Sequence, residues 1–157
     1  DLPRAEWTPV GPSSYELLYR SGAGLTPRPL RRIASGGELS RVMLASKVVL
    51  GNADGADTLV FDEVDAGVGG STARALAGVL ADLAATHQVI VVTHLAQVAV
   101  MADKHYVVSK EPGDVPQTHL DEVTGEARTA EIARMLSGDQ SEASLAHAKQ
   151  MLEEARG

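Results

Sequence analysis

Thr58-Leu59-Val60-Phe61-Asp62-Glu63-Val64-Asp65 is the stretch of sequence that decides the fold. Its first four residues are β-branched or apolar, and three acids follow within the next four positions. A short continuous apolar run is typical of a strand buried on both faces, as in parallel sheets. Ligands of open α/β sheets lie outside the carboxyl ends of such strands. The run predicts a strand over 59–61 that delivers Asp62 and Glu63 to a ligand; the alternative is a strand followed by an acidic, solvated loop.

The composition of the chain restricts its class. Its 157 residues, 44% of them hydrophobic, suffice for one domain with a core. The absence of cysteine excludes a disulfide framework, a thiol nucleophile and a zinc–thiolate site. A net charge of −7 argues against general attraction to nucleic acid. No apolar run approaches the roughly 20 residues of a membrane span, so no membrane partner is expected. The start at Asp1, among turn residues, indicates a piece of a longer protein.

Strand and helix patterns alternate on either side of the central strand. Strands are predicted over 15–19, 88–93, 105–109 and 118–123. Helices are predicted over 39–50, 72–85, 95–102 and 129–136, and a final helix follows Ser141; Ser71 and Ser141 are expected to cap the helices that they precede. Turn residues over 21–29 and 111–116 are typical of loops. The alternation predicts an α/β fold with a mostly parallel sheet flanked by helices.

Ser35-Gly36-Gly37-Glu38, directly before the first long helix, is the second informative stretch. Ser35 and Glu38 have the spacing of a capping box, which accounts for two of these four positions. Capping does not explain the paired glycines, since each costs up to about 1 kcal/mol of helix propensity. Glycines are suited to a place where another group approaches the backbone closely, and the free N–H groups of a helix N-terminus attract phosphate. The segment therefore favours phosphate contact over capping alone.

These motifs together resemble those of the ABC-type ATPases. The stretch 35–41 is similar to their signature motif, 59–63 to the Walker B strand with its catalytic Glu, and Val92-Thr93-His94 to the switch-histidine segment. The presence of Glu38 in the signature motif resembles the SMC-like branch of these ATPases, whose members serve chromosome maintenance and DNA repair. The longer stretches 34–41, 61–70, 93–99 and 131–138 are most similar to the RecN family of DNA-repair proteins within that branch.

The resemblance implies an incomplete head lobe of the P-loop NTPase class. A phosphate loop needs the Gly-x-x-x-x-Gly-Lys-[Ser/Thr] arrangement, and the chain contains no Gly-Lys dipeptide. The chain would be the C-terminal lobe of an ABC-ATPase head without its Walker A lobe, and an isolated fragment would be inactive. Its parts would be a strand-and-loop lead-in (1–32), a core with signature, Walker B and switch histidine (33–109), and C-terminal strand and helices (110–157).

The resemblance also implies roles for single residues, with ATP and Mg²⁺ as cofactors. Asp62 would hold Mg²⁺ through the bound ATP, Glu63 would be the general base for the attacking water, and His94 would contact the γ-phosphate. Residues that would bind the nucleotide of a second head in trans are Ser35, Gly36, Gly37 and Glu38. Asp65 and Gln97 are accessory candidates. Other ABC ATPases have an Asp at the position of Gly69. In this chain Asp65 would take over part of the role of that Asp.

The implied partners are the N-terminal Walker A lobe of the same protein, a second head in a homodimer, and DNA bound by the full-length protein. ATP would join two heads and hydrolysis would release them, in DNA double-strand-break repair, in the cytoplasm at the nucleoid. Two alternatives stay open: the head lobe of another SMC-type chromosome protein, and a dimerisation clamp that does not hydrolyse ATP. A loose basic cluster would be solvated or would contact DNA or the partner head; it consists of Arg28, Arg31, Arg32 and Arg41.

Overall fold

The computed structural model describes residues 4, 7, 9, 11–33, 35–51, 55–111 and 117–155. Its helices are α1 (Gly36–Leu50), α2 (Gly70–Ala84), α3 (Ala96–Ala99), α4 (Gly125–Ser137) and α5 (Glu142–Glu154). Its strands are β1 (Leu18–Tyr19), β2 (Arg28–Pro29), β3 (Thr58–Phe61), β4 (Gln88–Val91), β5 (His105–Glu111) and β6 (Gln117–Val123). The predicted α/β class is confirmed. Most of the loop predicted over 111–116 lies outside the described residues.

The strands form three separate pairs in the described part of the chain. β3 and β4 are parallel, with Val60 opposite Ile90, and they are the two apolar runs that predicted a parallel sheet. The pairs β1–β2 and β5–β6 are antiparallel. The parallel part of the fold is therefore limited to two strands, because β4 and β5 do not pair with each other here.

The main hydrophobic core lies on one face of the β3–β4 pair. Leu59 and Phe61 point into it from β3, and helices α1 and α2 cover it with Leu44, Leu76, Ala77, Leu80 and Leu83. Alternate residues of a strand point to opposite faces, so Val60, Ile90 and Val92 lie on the other face. These three side chains are 66%, 47% and 58% exposed. The expectation that the central strand is buried on both faces is wrong within this chain.

A second core joins α3 to the pair formed by α4 and α5, with Ile132 and Ala148 fully buried at its centre. Arg128 of α4 is buried beside it and donates hydrogen bonds from Nη2 to the backbone carbonyls of Ala99, Val100 and Ala102, at 3.2, 3.3 and 2.6 Å. Since the last carbonyls of a helix have no partner within the helix, a buried guanidinium is an effective group to satisfy them. Arg128 thus fastens the C-terminal helices to the end of α3.

Some helices begin at the capping residues predicted from the sequence, and one does not. α1 begins at Gly36 because Ser35 Oγ accepts a hydrogen bond from the Glu38 N–H, at 3.4 Å. The expected Ser141 cap of α5 is also present. The expected Ser71 cap is wrong: α2 begins at Gly70, two residues earlier than predicted, and follows Gly69 without a side-chain cap. None of the helices in the described ranges is both long and apolar enough to cross a membrane.

Candidate functional site

Three segments that are distant in sequence meet at the carboxyl end of β3. They are the signature turn (35–38) at the start of α1, the acidic turn (62–66) that follows β3, and the switch segment (92–95) that follows β4. β3 and β4 are parallel, so the acidic turn and the switch segment leave the sheet at the same edge. The three motifs singled out in the sequence therefore meet at one place in the fold.

Helix α1 holds the backbone of the acidic turn. Ser40 Oγ donates to the Asp62 carbonyl at 2.6 Å. Arg41 Nη1 donates to the carbonyls of Val64 and Ala66, at 3.1 and 2.8 Å. The Ala66 N–H closes the turn by donating to the Glu63 carbonyl at 3.0 Å. Hydrogen bonds from a charged donor contribute about 1.5–3 kcal/mol, so Arg41 is a principal determinant of the shape of this turn.

The predicted basic cluster is not one patch of solvated cations. Arg41 is half-buried and serves the acidic turn of its own chain. Arg31 forms an ion pair with Glu16, with 2.7 Å between Nη2 and Oε1. Arg28 belongs to β2 and Arg32 to the short 3₁₀ turn Leu30–Arg32 that follows it, and both are exposed. Only part of the cluster is therefore open to a partner.

The paired glycines of the signature turn allow the acidic turn to approach α1. Gly37 is buried, and a Cβ atom at this position would lie 2.7 Å from the Ala66 Cβ and 2.8 Å from the Glu63 carbonyl oxygen. A Cβ atom at Gly36 would collide with the Glu63 carboxylate. The expected close approach to the glycine backbone is present, but the approaching group is the chain's own acidic turn. Phosphate contact at these glycines stays a prediction.

Glu63 has a strained backbone. Its φ of +56° is the only positive value of a non-glycine residue in the described part of the chain. Such a conformation costs roughly 1–3 kcal/mol and tends to occur at functional sites. The hydrogen bonds from Arg41 and Ala66 to the turn hold it in place. The side chains of Asp62 and Glu63 are both exposed and accessible to a ligand.

Asp65 is a buried carboxylate that joins the acidic turn to the switch segment. Its side chain is 3% exposed, and its Oδ2 accepts hydrogen bonds from Thr93 Oγ1 at 2.5 Å and from the His94 N–H at 3.2 Å. His94 Nδ1 lies 3.2 Å from the same oxygen, although the imidazole is 72% exposed. Thr93 Oγ1 in turn accepts from the Leu95 N–H at 3.0 Å. Asp65 therefore holds the backbone of the switch segment beside the acidic turn.

The residues predicted for the site do not all lie at the convergence of the three segments. Asp62, Glu63, His94 and the signature turn lie together in this structure, whereas Gln97 is in α3 and has no hydrogen bond to these segments among the described residues. Sequence reasoning assigned no role to Ser40 or Thr93. Both hydroxyls bond to groups of the acidic turn more than twenty positions away, and no local pattern marks such a contact.

We expect the same substitution at two helix glycines to have opposite effects on stability. Gly37→Ala places a methyl group against backbone and a neighbouring Cβ, so the free energy of unfolding should fall by about 1–3 kcal/mol. Gly78→Ala, within α2, meets no atom within 4 Å and should raise it by roughly 0.5–1 kcal/mol. Urea denaturation measures both changes, and equal effects would contradict the close contact at Gly37.

The chain is similar to DNA repair protein RecN from several bacteria. It is 51% identical to RecN of Treponema pallidum (strain Nichols) over 146 residues, which is 92% of this chain and 26% of that protein. It is 52% identical to RecN of Deinococcus radiodurans over 151 residues, or 94% of this chain and 26% of that protein. The chain spans about a quarter of the length of the curated relatives that it matches. The resemblance to RecN seen in the motifs is confirmed.

Family models and solved structures say less about this chain than its sequence relatives do. No protein-family model matches the chain. A solved structure from work on ATP-driven dimerisation and DNA-stimulated activation of SMC ATPases has a TM-score of 0.47 and 22% identity, and covers 86% of this chain and 69% of that chain. The family resemblance therefore rests on the sequence relatives.

Proposed function

Because this chain corresponds to a segment of the RecN family of DNA repair proteins, we propose that it forms the C-terminal lobe of an ATP-hydrolysing head. The observation that carries this proposal is the convergence of the signature turn, acidic turn and switch segment at the carboxyl end of β3. That edge is where open α/β sheets bind ligands. The residues with the matching chemistry lie there, and hydrogen bonds join the acidic turn to helix α1 and to the switch segment.

Asp62 and Glu63 are the two acids that act on the nucleotide in this proposal. Mg²⁺, bound with ATP, would neutralise charge on the phosphates. An exposed carboxylate oxygen such as that of Asp62 suits this ion. No group of three or more His, Asp and Glu side chains could hold a metal ion within the described ranges, which fits a cation that arrives with ATP. Glu63 accepts the proton of the attacking water. Its strained backbone conformation fixes the position from which the side chain extends.

The signature turn serves the nucleotide of a second head. Ser35 and Gly36 are exposed at the N-terminus of α1, where free N–H groups and the helix dipole favour an anion. Gly37 is buried against the acidic turn and contributes through its backbone. The Glu38 N–H is engaged by Ser35 Oγ, so any contact from Glu38 to the nucleotide comes from its side chain. ATP thereby joins two heads.

The exposed face of the β3–β4 pair supports a Walker A lobe as the intramolecular partner. Parallel sheets are ordinarily covered on both faces, and here the helices cover one. Val60, Ile90 and Val92 are exposed on the other, and burying such a side chain contributes about 1.5–3 kcal/mol. A second lobe packed on this face would complete the sheet and deliver the phosphate loop that this sequence lacks.

The relatives are DNA repair proteins, and the proposed cycle couples head pairing to the holding of DNA, in the cytoplasm at the nucleoid. ATP binding pairs the heads and hydrolysis separates them. The other SMC-type chromosome proteins remain an alternative at the level of the whole protein. A clamp without turnover is the alternative at the level of the site, since Gly69 has no carboxylate where other ABC ATPases have an Asp.

Titration calorimetry with ATP and Mg²⁺ tests the half-site proposal. The isolated chain should show no ATP binding in the low-micromolar range, because it has no phosphate loop. The chain co-purified with the N-terminal lobe of the same protein should bind ATP, and the N-terminal lobe alone is the control. Low-micromolar binding to the isolated chain would overturn the proposal that it holds half of the site.

A further inference from the structure

We propose that the lead-in hairpin (residues 16–32, comprising β1, β2 and the turn after them) binds the phosphate backbone of duplex DNA through three exposed arginines, Arg20, Arg28 and Arg32. The inference rests on the proposed function for the identity of the polyanion, since the relatives are DNA repair proteins. It adds the part of this chain that makes the contact. Its physical basis is positive charge collected at one place in a chain whose net charge is −7.

The charge of the lead-in hairpin is opposite in sign to that of the whole chain. Residues 17–37 contain no Asp or Glu, and they include four arginines, Arg20, Arg28, Arg31 and Arg32. Other exposed cations of the described chain lie against acids. Lys104 Nζ is 3.8 Å from the Glu122 carboxylate. Arg134 Nη2 is 2.6 Å from the Glu131 carboxylate. The lead-in hairpin therefore attracts a polyanion that the rest of the chain repels.

The hairpin holds its side chains at fixed positions. The antiparallel pairing of β1 and β2 continues beyond the two short strands. In the next cross-strand pair the Leu30 N–H donates to the Leu17 carbonyl at 2.8 Å. One position further, Arg31 Nη2 is 2.7 Å from Glu16 Oε1, which also neutralises the acid nearest to the arginines. The arginines are thus mounted on a paired frame rather than on a loose loop.

Three of the four arginines are open to a ligand. Arg31 is engaged in its ion pair with Glu16. The other three are exposed and have no ion pair within the described ranges. Arg20 and Arg28 lie at the end of the hairpin next to its loop, and Arg32 lies at the opposite end, after β2. Positive charge therefore extends along the length of the hairpin.

This spacing suits a row of phosphates better than a single anion. A strand extends about 3.4 Å per residue, so the two ends of the hairpin are roughly 10–14 Å apart. Each strand of duplex DNA carries one phosphate per about 3.4 Å of its axis, so the two ends reach different phosphates. Each guanidinium can donate two parallel hydrogen bonds to a phosphate. A lone carboxylate of a partner head would need arginines that converge, whereas the hairpin keeps them apart.

Salt titration of DNA binding by the full-length protein tests the proposal, without nucleotide. Fluorescence anisotropy of a labelled duplex of about 30 base pairs gives the slope of log K against log salt concentration. Changing all three arginines (Arg20→Gln, Arg28→Gln, Arg32→Gln) should reduce the slope by about 2.7, since each phosphate contact contributes about 0.9. The same relation gives an affinity about 10²–10³-fold lower at about 0.1 M salt. Two unrelated duplexes should lose equally, because phosphate contacts do not read sequence.

Two control variants separate a local contact from net charge and from structure. Lys104→Gln, Lys110→Gln and Lys149→Gln together remove the same charge from exposed positions outside the hairpin and should leave the slope unchanged. Lysine at the three arginine positions retains the charge and should keep most of the slope. A wild-type slope in the arginine-to-glutamine variant, equal loss in the lysine control, or no duplex binding by the wild-type protein would overturn the proposal. If the triple variant does not fold, each single substitution should reduce the slope by about 0.9.

ATP turnover and head pairing, measured on the same proteins, keep this proposal distinct from the proposed ATPase. If the wild-type protein binds the duplex with the expected change in the variant but does not hydrolyse ATP, the proposed function fails and the DNA surface stands. If ATP is hydrolysed and the variant keeps the wild-type salt slope, the DNA surface fails alone. A variant that keeps the slope but loses ATP-driven pairing in light scattering would assign the arginines to the partner head, which also overturns the proposal.

Discussion

Glu63→Gln in the full-length protein is expected to lower ATP turnover by about 10²–10⁴-fold, which is the contribution of a positioned general base. Glutamine has the same size but cannot accept the proton of the attacking water. The backbone of Glu63 is set by Arg41 and by the Ala66 N–H, neither of which touches its carboxylate, so the turn should keep its shape. Steady-state phosphate release measures turnover, and size-exclusion chromatography with ATP should show that paired heads persist.

Glu153→Gln is the matched control for this experiment. Glu153 is exposed on α5, remote from the three converging segments in the fold, and the same loss of charge should leave turnover unchanged. Equal turnover in wild type and Glu63→Gln would remove the enzyme proposal and favour the clamp that does not hydrolyse ATP.

Ser35→Arg is expected to abolish ATP-driven head pairing while each head still binds ATP. Ser35 is exposed at the start of α1, where the proposal places the phosphate of the opposite head. Losing two charge-assisted hydrogen bonds of about 1.5–3 kcal/mol each would weaken pairing by roughly 10²–10⁴-fold. Light scattering with ATP in the Glu63→Gln background measures pairing without interference from hydrolysis.

Ser141→Arg controls for the loss of a helix cap. Ser141 caps α5 as Ser35 caps α1, each accepting a hydrogen bond of 3.4 Å from the N–H three residues on. Either substitution removes about 1 kcal/mol of capping, but only the change at Ser35 should prevent pairing. Retained pairing in Ser35→Arg, or equal loss in both variants, would count against the role in trans.

Local patterns were sufficient for strands β3 to β6 and for the cap at the start of α1, whereas β1 is shorter than predicted and β2 lies within the predicted loop over 21–29. The apolar run before Asp62 predicts a strand, and the Ser–Glu spacing predicts the start of α1. Both patterns depend only on residues that are close in sequence, so they can be recognised without the fold. The burial of Asp65 and the hydrogen bonds of Arg41 depend on segments that meet only in the folded chain, so they had no local signal.

The glycine pair shows the limit of that reasoning most clearly. Two glycines correctly indicated a close approach to the backbone, but the sequence did not identify the approaching group as Glu63 and Ala66. The uncovered face of β3 was missed for a related reason. A continuous apolar run shows that both faces avoid water, but it does not show which part of a protein covers each face.

The contact between the Glu63 carboxylate and Gly36 has a consequence for kinetics. In a two-headed assembly these neighbours would serve different nucleotides, since Glu63 acts on the ATP of its own head and Gly36 on that of the other. A movement at one reaction centre would then reach the other through the packing of Gly36 and Gly37 against the acidic turn inside each chain. A methyl group at Gly36 would displace the Glu63 carboxylate, so one substitution would disturb both centres together.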